Sequence, residues 1–463
     1  MTTLHDDLTD VHPGRARIQI ISAFLITMPA LVVRFTHPDL PHPLEALIFG
    51  IAIVGAAFLL SWGAEVAQLD ISAGLAIAIL ALIAVLPEYA VDFVFASKGG
   101  ESFAQTGAAC LPLDGGTESP CSLALANMTG ANRLLIGIGW TMVVFIAFYR
   151  LKSKGKLPAT GRWDRGWEGV RLDREHSIEI AFLALATIYS LTLPLKHSIT
   201  LWDAAILVTI FVLYTVRVSR APAEEPHLVG PARYVGTFST AARRTTVIAI
   251  GVFAAAVILM VAERFAEALV ASGEALGVSE FLLVQWIAPL ASEAPELLVA
   301  GLYAWRLNTS TGLGTLVSSK VNQWTLLVGT LPIVFAIAAG GFHGLPLDTV
   351  QREELFLTAA QSFFAVAVLS SLTLSLREAG FLFSLFWFQF ILGAIVPESL
   401  HGVERIGVGI LYLILGAWVL LRERSSLRRL FRDGFRAPYD ELAAERAADT
   451  AARGPVEAPG GLE

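Results

Sequence analysis

Two Pro-Glu pairs stand inside long apolar segments of the chain, Pro87-Glu88 in the first half and Pro295-Glu296 in the second. A proline inside a helix removes one backbone hydrogen bond and kinks or breaks the helix there. Freed carbonyl oxygens and a carboxylate then lie close together in an apolar environment. Because such oxygens can replace the hydration shell of a cation, the pairs predict a cation site to which both halves contribute.

A second acidic residue accompanies each pair. Asp92 follows Glu88 by four residues and Glu293 precedes Glu296 by three, so each shares a helical face with its neighbour. We expect these carboxylates to act as further ligands or as proton carriers. An alternative for Asp92 is a solvated position near the outer end of its helix. Glu65 and Glu263 end earlier apolar segments, where solvation is easy, and we expect structural roles for them.

A purely structural interpretation exists for either pair alone. A single proline in a transmembrane helix is often only a kink, and a glutamate near a helix end can extend to the aqueous interface. A charged residue at the centre of a membrane helix, however, costs about 2.5–3.5 kcal/mol on insertion scales. The same pair at matching places in both halves therefore favours a functional role for Glu88 and Glu296.

The elements that must position these residues are membrane helices. Hydrophobic residues make up 55% of the chain and charged residues 16%, which is far from the balance of a soluble domain. The apolar residues form blocks of helical length without the alternation of barrel strands. The predicted spans are 18–35, 44–66, 72–97, 122–149, 176–195, 200–217, 244–269, 279–305, 311–340, 354–376, 380–397 and 404–422. The predicted fold class is an all-α membrane protein of about 12 transmembrane helices.

The order of the motifs predicts two inverted repeats of five helices, with one extra helix at each end. Five is an odd number, so the second repeat must enter the membrane from the opposite face. The predicted parts are a tail (1–16), an extra N-terminal helix (17–43), the first repeat (44–217), a linker (218–243), the second repeat (244–397), an extra C-terminal helix (398–424) and a second tail (425–463).

Lysine and arginine counts in the loops predict the orientation. Twelve spans put both termini on one side, and the cations cluster on that side, in 150–175, in 217–244 and after residue 422. The opposite loops carry few cations. The positive-inside rule therefore predicts a multi-pass protein of the cell membrane with both termini in the cytoplasm.

Besides the lipid bilayer, the sequence indicates few binding partners. Cys110 and Cys121 are the two cysteines, and both fall in an outer loop, where a disulfide is expected and two unpaired thiols are the alternative. The tails lack apolar periodicity and are expected to be disordered. The net charge of −7 gives no reason to propose nucleic acid. Oligomeric state stays open.

The two Pro-Glu spans and the helices that follow them resemble the alpha repeats of the sodium/calcium exchanger family, within the calcium:cation antiporters. The first family motif reads Gly-(Thr/Ser)-Ser-x-Pro-Glu, and the second contains Gly-Ser-Asn with Asn or Asp soon after. The resemblance implies ten core helices, a site at the membrane midplane and alternating access with Na⁺, Ca²⁺ or H⁺ exchanged. It implies ion-binding roles for Glu88, Glu296, Ser292, Ser319, Gln323, Asn127 and Asn132, and these join Asp92 and Glu293 as candidate ligands.

The chain departs from these motifs at several ligand positions. Ala84 and Val85 replace the hydroxyl pair of the first repeat, and Glu293 replaces the second hydroxyl of the other. Ala131 and Leu135 replace a serine and an asparagine. The first repeat thus has few ligands for the about six to eight oxygens that calcium prefers, which argues against a calcium site of the usual family type.

Two cations stand near the expected site. Lys320 replaces the Asn of the second motif, and Arg133 lies on the matching helix of the first repeat. If both face inward, they add fixed positive charge beside the carboxylates, and an ammonium can occupy the place of a sodium ion. This favours fewer transported ions or proton-linked exchange. The alternative is that both pair with lipid-facing or interface groups, which is costly in mid-span.

The predicted function is secondary cation antiport of the sodium/calcium exchanger type, with Na⁺/H⁺ exchange as one form and no cofactor besides the transported cations. Gating helices 44–66 and 244–269 would rock around the central site. The alternative is a non-transporting sensor or relic of the same fold, because several ligand positions of the family motifs are replaced and the basic residues Lys320 and Arg133 are added. An enzyme is not expected, because the sequence contains no HExxH, GxSxG or Walker motif.

Overall fold

The computed structural model describes residues 13–70, 86–113, 118–155, 169–220, 228, 230–439 and 441–442, and these residues are almost entirely helical. The helices, in chain order, are α1 (Pro13–Leu25), α2 (Met28–Thr36), α3 (His42–Ala67), α4 (Leu86–Thr106), α5 (Pro120–Leu134), α6 (Thr141–Ser153), α7 (Ser177–Ser190), α8 (Leu201–Val218), α9 (Pro231–Gly236), α10 (Thr240–Leu276), α11 (Glu280–Trp305), α12 (Thr309–Asn322), α13 (Val328–Ala338), α14 (Thr349–Leu369), α15 (Leu376–Ile395), α16 (His401–Arg422) and α17 (Arg424–Phe435). Most of both predicted tails lies outside the described residues.

Nine helical segments of the described chain are long and apolar enough to cross a membrane. They are Pro13–Thr36, His42–Ala67, Pro120–Ser153, Arg174–Leu195, Leu201–Val218, Thr240–Gly273, Glu280–Trp305, Thr309–Ala338 and His401–Arg422. Helices α14 and α15 lie where two further spans were predicted. The predicted span 72–97 falls partly outside the described residues, which resume with α4.

Helices of the two repeats pack across each other. By the predicted division, the first repeat comprises α3 to α8 and the second α10 to α15. Helix α11 of the second repeat packs against α5 of the first, α4 packs against α13, and α3 runs along α10. Each Pro-Glu helix is therefore held by the partner helix of the opposite repeat, and this arrangement brings the acidic residues of both halves together.

Two short antiparallel sheets also join loops from different halves. Strand β1 (Val170–Arg171) pairs with β4 (Thr373–Leu374), and β2 (Ser198–Ile199) pairs with β3 (Leu345–Pro346). By the predicted topology β1 and β4 lie on the cation-rich side, and β2 and β3 lie on the opposite side. The pairs satisfy backbone groups that the ends of membrane helices would otherwise leave unpaired.

Each partner span contains a π-helical turn that the sequence did not predict. Helix α5 continues through a π turn at Leu135–Trp140 into α6, and α12 continues through another at Gln323–Leu327 into α13. The turns begin at Leu135, three residues after Asn132, and at Gln323, three residues after Lys320. Single π turns inside α-helices are frequent at functional sites.

The expectation that Pro295 breaks its helix is wrong. Helix α11 runs without interruption through Pro289 and Pro295. Pro289 lacks the N–H that would bond the carbonyl of Gln285, and that carbonyl instead lies against Gly130 of α5. Pro87 is the second residue of α4, and the residues before Leu86 lie outside the described chain.

Helices α14 and α15 begin earlier than predicted, because capping boxes define their first turns. The Asp348 side chain accepts a hydrogen bond from Gln351 N, and the Ser375 side chain accepts one from Glu378 N. As a result the charged residues Glu353 and Glu354 lie inside α14. The first predicted span is interrupted between α1 and α2, where Pro29 occupies the first turn of α2.

Cys110 and Cys121 form a disulfide, and both residues are buried. The bond connects the segment after α4 to the first turn of α5. A cross-link of this kind limits the freedom of the loop in the unfolded chain. It therefore fixes where α5, which carries Asn127 and Asn132, enters the bundle.

We expect Gly130→Ala to destabilise the protein by about 1–3 kcal/mol, because a Cβ at this position would overlap the backbone carbonyl of Gln285. Gly251→Ala is the matched control, since no atom lies within 4 Å of the Cβ position there. The measurement is thermal unfolding of the purified protein, followed by tryptophan fluorescence. Equal melting temperatures for the two variants would contradict the close helix crossing.

Candidate functional site

Three carboxylates meet between the two repeats. Glu88 belongs to α4, and Glu293 and Glu296 belong to α11. One oxygen from each lies within 4.8 Å of the others. Glu88 and Glu293 are 1% and 0% exposed, and Glu296 is partly buried. The two helices that were predicted to supply the site thus bring their acidic groups to one place.

Polar contacts hold two of these carboxylates and leave the third open. Ser319 Oγ donates to Glu296 Oε2 at 2.9 Å, and the Gln323 amide nitrogen donates to Glu293 Oε1. In the described part of the chain, the oxygens of Glu88 accept no hydrogen bond from an N–H or a hydroxyl. Glu293 and Glu296 lie three residues apart on α11, so one helix presents both to Glu88 of α4.

Asp92 lies one turn after Glu88 and is fully buried, so its alternative as a solvated residue is wrong. Asn127 Nδ2 donates to Asp92 Oδ1 at 2.7 Å. Asp92 Oδ2 and Asn127 Oδ1 accept no hydrogen bond from the described residues. The pair therefore offers two free oxygens on the α4–α5 side of the site.

Lys320 is fully buried and makes contacts with the first repeat rather than with the lipid. Its Nζ donates to Asn132 O at 2.5 Å and to Asn132 Oδ1 at 2.8 Å. It also lies 5.6 Å from the ring centroid of Trp324. Lys320 thus ties the two partner helices together.

Arg133 does not face the carboxylate cluster, contrary to expectation. Its Nη1 donates to Glu354 Oε2 at 2.6 Å, and its Nη2 donates to Gln389 Oε1. The guanidinium also lies 5.0 Å from the ring of Trp286. Arg133 is not lipid-facing either, since it is 2% exposed. It points toward α14 and α15 because buried acceptors are available there.

Arg133 belongs to a second buried network that sequence analysis missed. Arg405 Nε pairs with Glu354 Oε1 at 2.8 Å, Gln285 Nε2 donates to Glu354 Oε2 at 2.9 Å, and Gln389 Nε2 donates to Glu404 Oε1 at 3.2 Å. The network joins the extra C-terminal helix α16 to the core. The one signal in the sequence was the charged run at 352–354 directly before an apolar segment.

Ser292 was predicted as a ligand, but its hydroxyl is used locally. Ser292 Oγ donates to Ala288 O at 3.2 Å and to Pro289 O at 3.4 Å. This bonding to the previous turn is usual for serine in helices. Among the described residues, the oxygens that face the cluster come from Glu88, Glu293, Glu296 and Ser319, with the amide of Gln323 beside them.

The sequence profile of the sodium/calcium exchanger protein family matches residues 43–220 and 246–396. The chain belongs to this family. It is 40% identical to the H⁺/Ca²⁺ exchanger CAX of a crystal structure, with a TM-score of 0.80 over 94% of this chain and 100% of that one. This protein is therefore a multi-pass membrane transporter, a cation antiporter and not an enzyme.

More distant structures share the fold. The structure of native YfkE aligns with a TM-score of 0.54 at 12% identity, over 86% of this chain and 100% of that chain. Selenium-substituted YfkE, a Ca²⁺/H⁺ antiporter protein, aligns at 14% identity with a TM-score of 0.53 over the same shares. No curated protein sequence matches the chain.

We expect Arg133→Gln to destabilise the antiporter by about 3–5 kcal/mol, because it leaves Glu354 with fewer partners in a buried place. Arg422→Gln serves as the control, since Arg422 is exposed at the end of α16. Thermal unfolding in detergent is the measurement. Combining Arg133→Gln with Glu354→Gln should cost less than the sum of the two single changes. Full additivity would exclude the ion pair.

Proposed function

We propose that this antiporter exchanges Ca²⁺ for protons, with Glu88, Glu293 and Glu296 as the shared binding site. The observation that carries the proposal is the approach of the three carboxyls to within 4.8 Å of one another. Two ionised carboxylates in contact repel each other, and burial strengthens the repulsion. The cluster is therefore stable only when protons or a cation lie between its oxygens.

That requirement couples the two ions. A proton on Glu293 allows a hydrogen bond to a neighbouring carboxylate, whereas a bound cation needs the carboxylates ionised. The two occupants exclude each other because they compete for the same oxygens. Exchange of the two ions follows if the site opens to the other side of the membrane only when a cation or protons neutralise its charge. A cluster of ionised carboxylates without such an occupant is too costly to move through the membrane interior.

The donor set supports calcium as the cargo. Three carboxylates, the Ser319 hydroxyl and the Gln323 amide oxygen together approach the about six to eight oxygens that Ca²⁺ takes. Glu293 stands where the family motif has a hydroxyl, so the second repeat gains charge while the first lacks ligands. The 40% identical relative is an H⁺/Ca²⁺ exchanger.

Helices α3 and α10 are the proposed gating pair. They lie side by side over most of their lengths, with small residues at the contact. A Cβ on Gly50 would lie 3.1 Å from the Phe265 ring. Small residues at such a contact let the two backbones approach closely. At one end, hydrogen bonds from Arg243 to Asp70 join the helices and hold the pKa of that carboxyl below its usual value.

Vesicle flux is the direct test of the proposed exchange. In proteoliposomes with an acidic interior, outward proton movement should drive Ca²⁺ uptake and raise the internal pH. A protonophore that collapses the gradient should stop the uptake. Uptake of Na⁺ without Ca²⁺ would reassign the protein to Na⁺/H⁺ exchange, and flux that ignores the proton gradient would refute proton coupling.

We expect Glu296→Gln to reduce this Ca²⁺ uptake to the level of empty vesicles, because it removes a charge from the cluster while it keeps the side chain's size. Glu263→Gln is the matched control, since Glu263 is an exposed acid in α10 outside the cluster. Both variants should remain folded by size-exclusion chromatography. Equal transport by the two variants would remove Glu296 from the site.

Lys320→Asn should change ion selectivity, because it restores the family residue and removes a buried positive charge near Glu293. We expect the variant to bind Na⁺ better relative to Ca²⁺, since a monovalent ion can then occupy the place of the ammonium. The measurement is inhibition of Ca²⁺ uptake by added Na⁺. An unchanged inhibition constant would show that Lys320 acts only as a link between the partner helices.

A further inference from the structure

A cavity opens on the side of the protein predicted to be cytoplasmic, and none of the three clustered carboxylates lines it. Its volume is about 590 Å³, which is within the usual range for small-molecule sites. Its walls come from β1 and the start of α7, from the loops after α11 and α14, and from α17. Four separate parts of the chain thus enclose a single space.

The lining of this cavity is positively charged. Arg171, Arg174, Arg429 and Arg432 line it, together with the acids Asp173 and Asp433. Asp433 already receives Arg174 Nε at 2.7 Å and Arg432 Nε at 2.9 Å. Burial alone would raise the pKa of Asp433, but the hydrogen bonds from these arginines hold it below its usual value, so the group is ionised at neutral pH.

Two of the four arginines have no carboxylate partner among the described residues. Arg429 makes one long contact of 3.5 Å with Ser426 Oγ, and Arg171 extends from the edge of β1. Their charges are therefore available to a ligand. A guanidinium offers several N–H donors in a planar fork, which suits the oxygens of a phosphate group.

Hydroxyl groups complete the lining. Ser177 at the start of α7 is fully buried, lines the cavity, and its Oγ has no hydrogen-bond partner among the described residues. A buried hydroxyl without a partner is unusual, because its desolvation costs about 1–3 kcal/mol. A ligand with acceptor oxygens would satisfy it.

The backbone around the cavity carries local strain. Four non-glycine residues of the described chain have positive φ, and two of them, Leu307 with φ of 65° and Leu372 with φ of 59°, line this space. A branched residue in this conformation is an outlier that persists where the surrounding structure requires it. Leu307 lies in the loop between α11 and α12, which carry Glu293 and Lys320.

We propose that this cavity binds a phosphate-bearing anion through Arg171, Arg429 and the Ser177 hydroxyl. The anion can be the headgroup of an anionic phospholipid from the adjacent leaflet or a soluble phosphate compound, since both present the same oxygens. Bound there, it joins α17 to the loop between the two helices that carry the second repeat's part of the ion site.

Binding to the full-length protein tests the proposal in two arms. Delipidated protein in detergent is titrated calorimetrically with inorganic phosphate and with pyrophosphate. Separately, native mass spectrometry counts bound phosphatidic acid against phosphatidylcholine. Saturable binding in either arm supports the site, and the arm that responds identifies the source of the phosphate. No saturable binding in both arms would overturn it.

Two pairs of substitutions test whether the anion binds in this cavity. Arg171→Gln combined with Arg429→Gln should weaken the affinity by at least about tenfold, since it removes two charge-assisted contacts. Arg424→Gln combined with Arg428→Gln makes the same change of charge at exposed positions outside the cavity and should leave the affinity unchanged. Equal weakening by both pairs would attribute binding to diffuse surface charge. Transport is not measured, so the outcome is independent of the proposed exchange.

Discussion

The organisation of this antiporter follows from the electrostatic cost of three acidic groups in one dry place. Two unit charges about 4 Å apart repel by about 4 kcal/mol at an effective dielectric constant of about 20. Glu88, Glu293 and Glu296 are held at such separations by helices from both repeats. Only a positive occupant lowers this energy. Helix α4 packs against α13, and α5 packs against α11. This packing keeps the three carboxylates together in spite of their mutual repulsion.

Two buried basic residues have different partners. Lys320 of the second repeat is anchored on Asn132 of the first. Arg133, the next residue after Asn132, points the other way and is neutralised by Glu354. Adjacent positions on one helix thus contact Lys320, beside the proposed ion site, and the network that attaches α16, respectively. The separation keeps the strong Arg133 ion pair from competing with a transported ion.

Sequence analysis predicted the parts of the site that repeat and missed those that depend on distant partners. The duplicated Pro-Glu pairs indicated Glu88 and Glu296, and Glu293 followed from helical spacing. Arg133 was misplaced because its acceptor is 221 residues away, on a helix whose capped start had been assigned to a loop. The π turns have no compositional signature. The prediction of a break at Pro295 ignored that neighbouring backbone and side-chain groups can accommodate a proline within a continuous helix.

The ion pair between Arg133 and Glu354 also constrains how the protein is made. During synthesis the segment with Arg133 enters the bilayer long before the ribosome has produced Glu354, and Arg405 follows later still. Until then the guanidinium lacks the carboxylate that neutralises it in the folded protein. The first repeat alone therefore does not contain the partners that bury Arg133, and α14 supplies the acid while α16 supplies the second arginine that pairs with it.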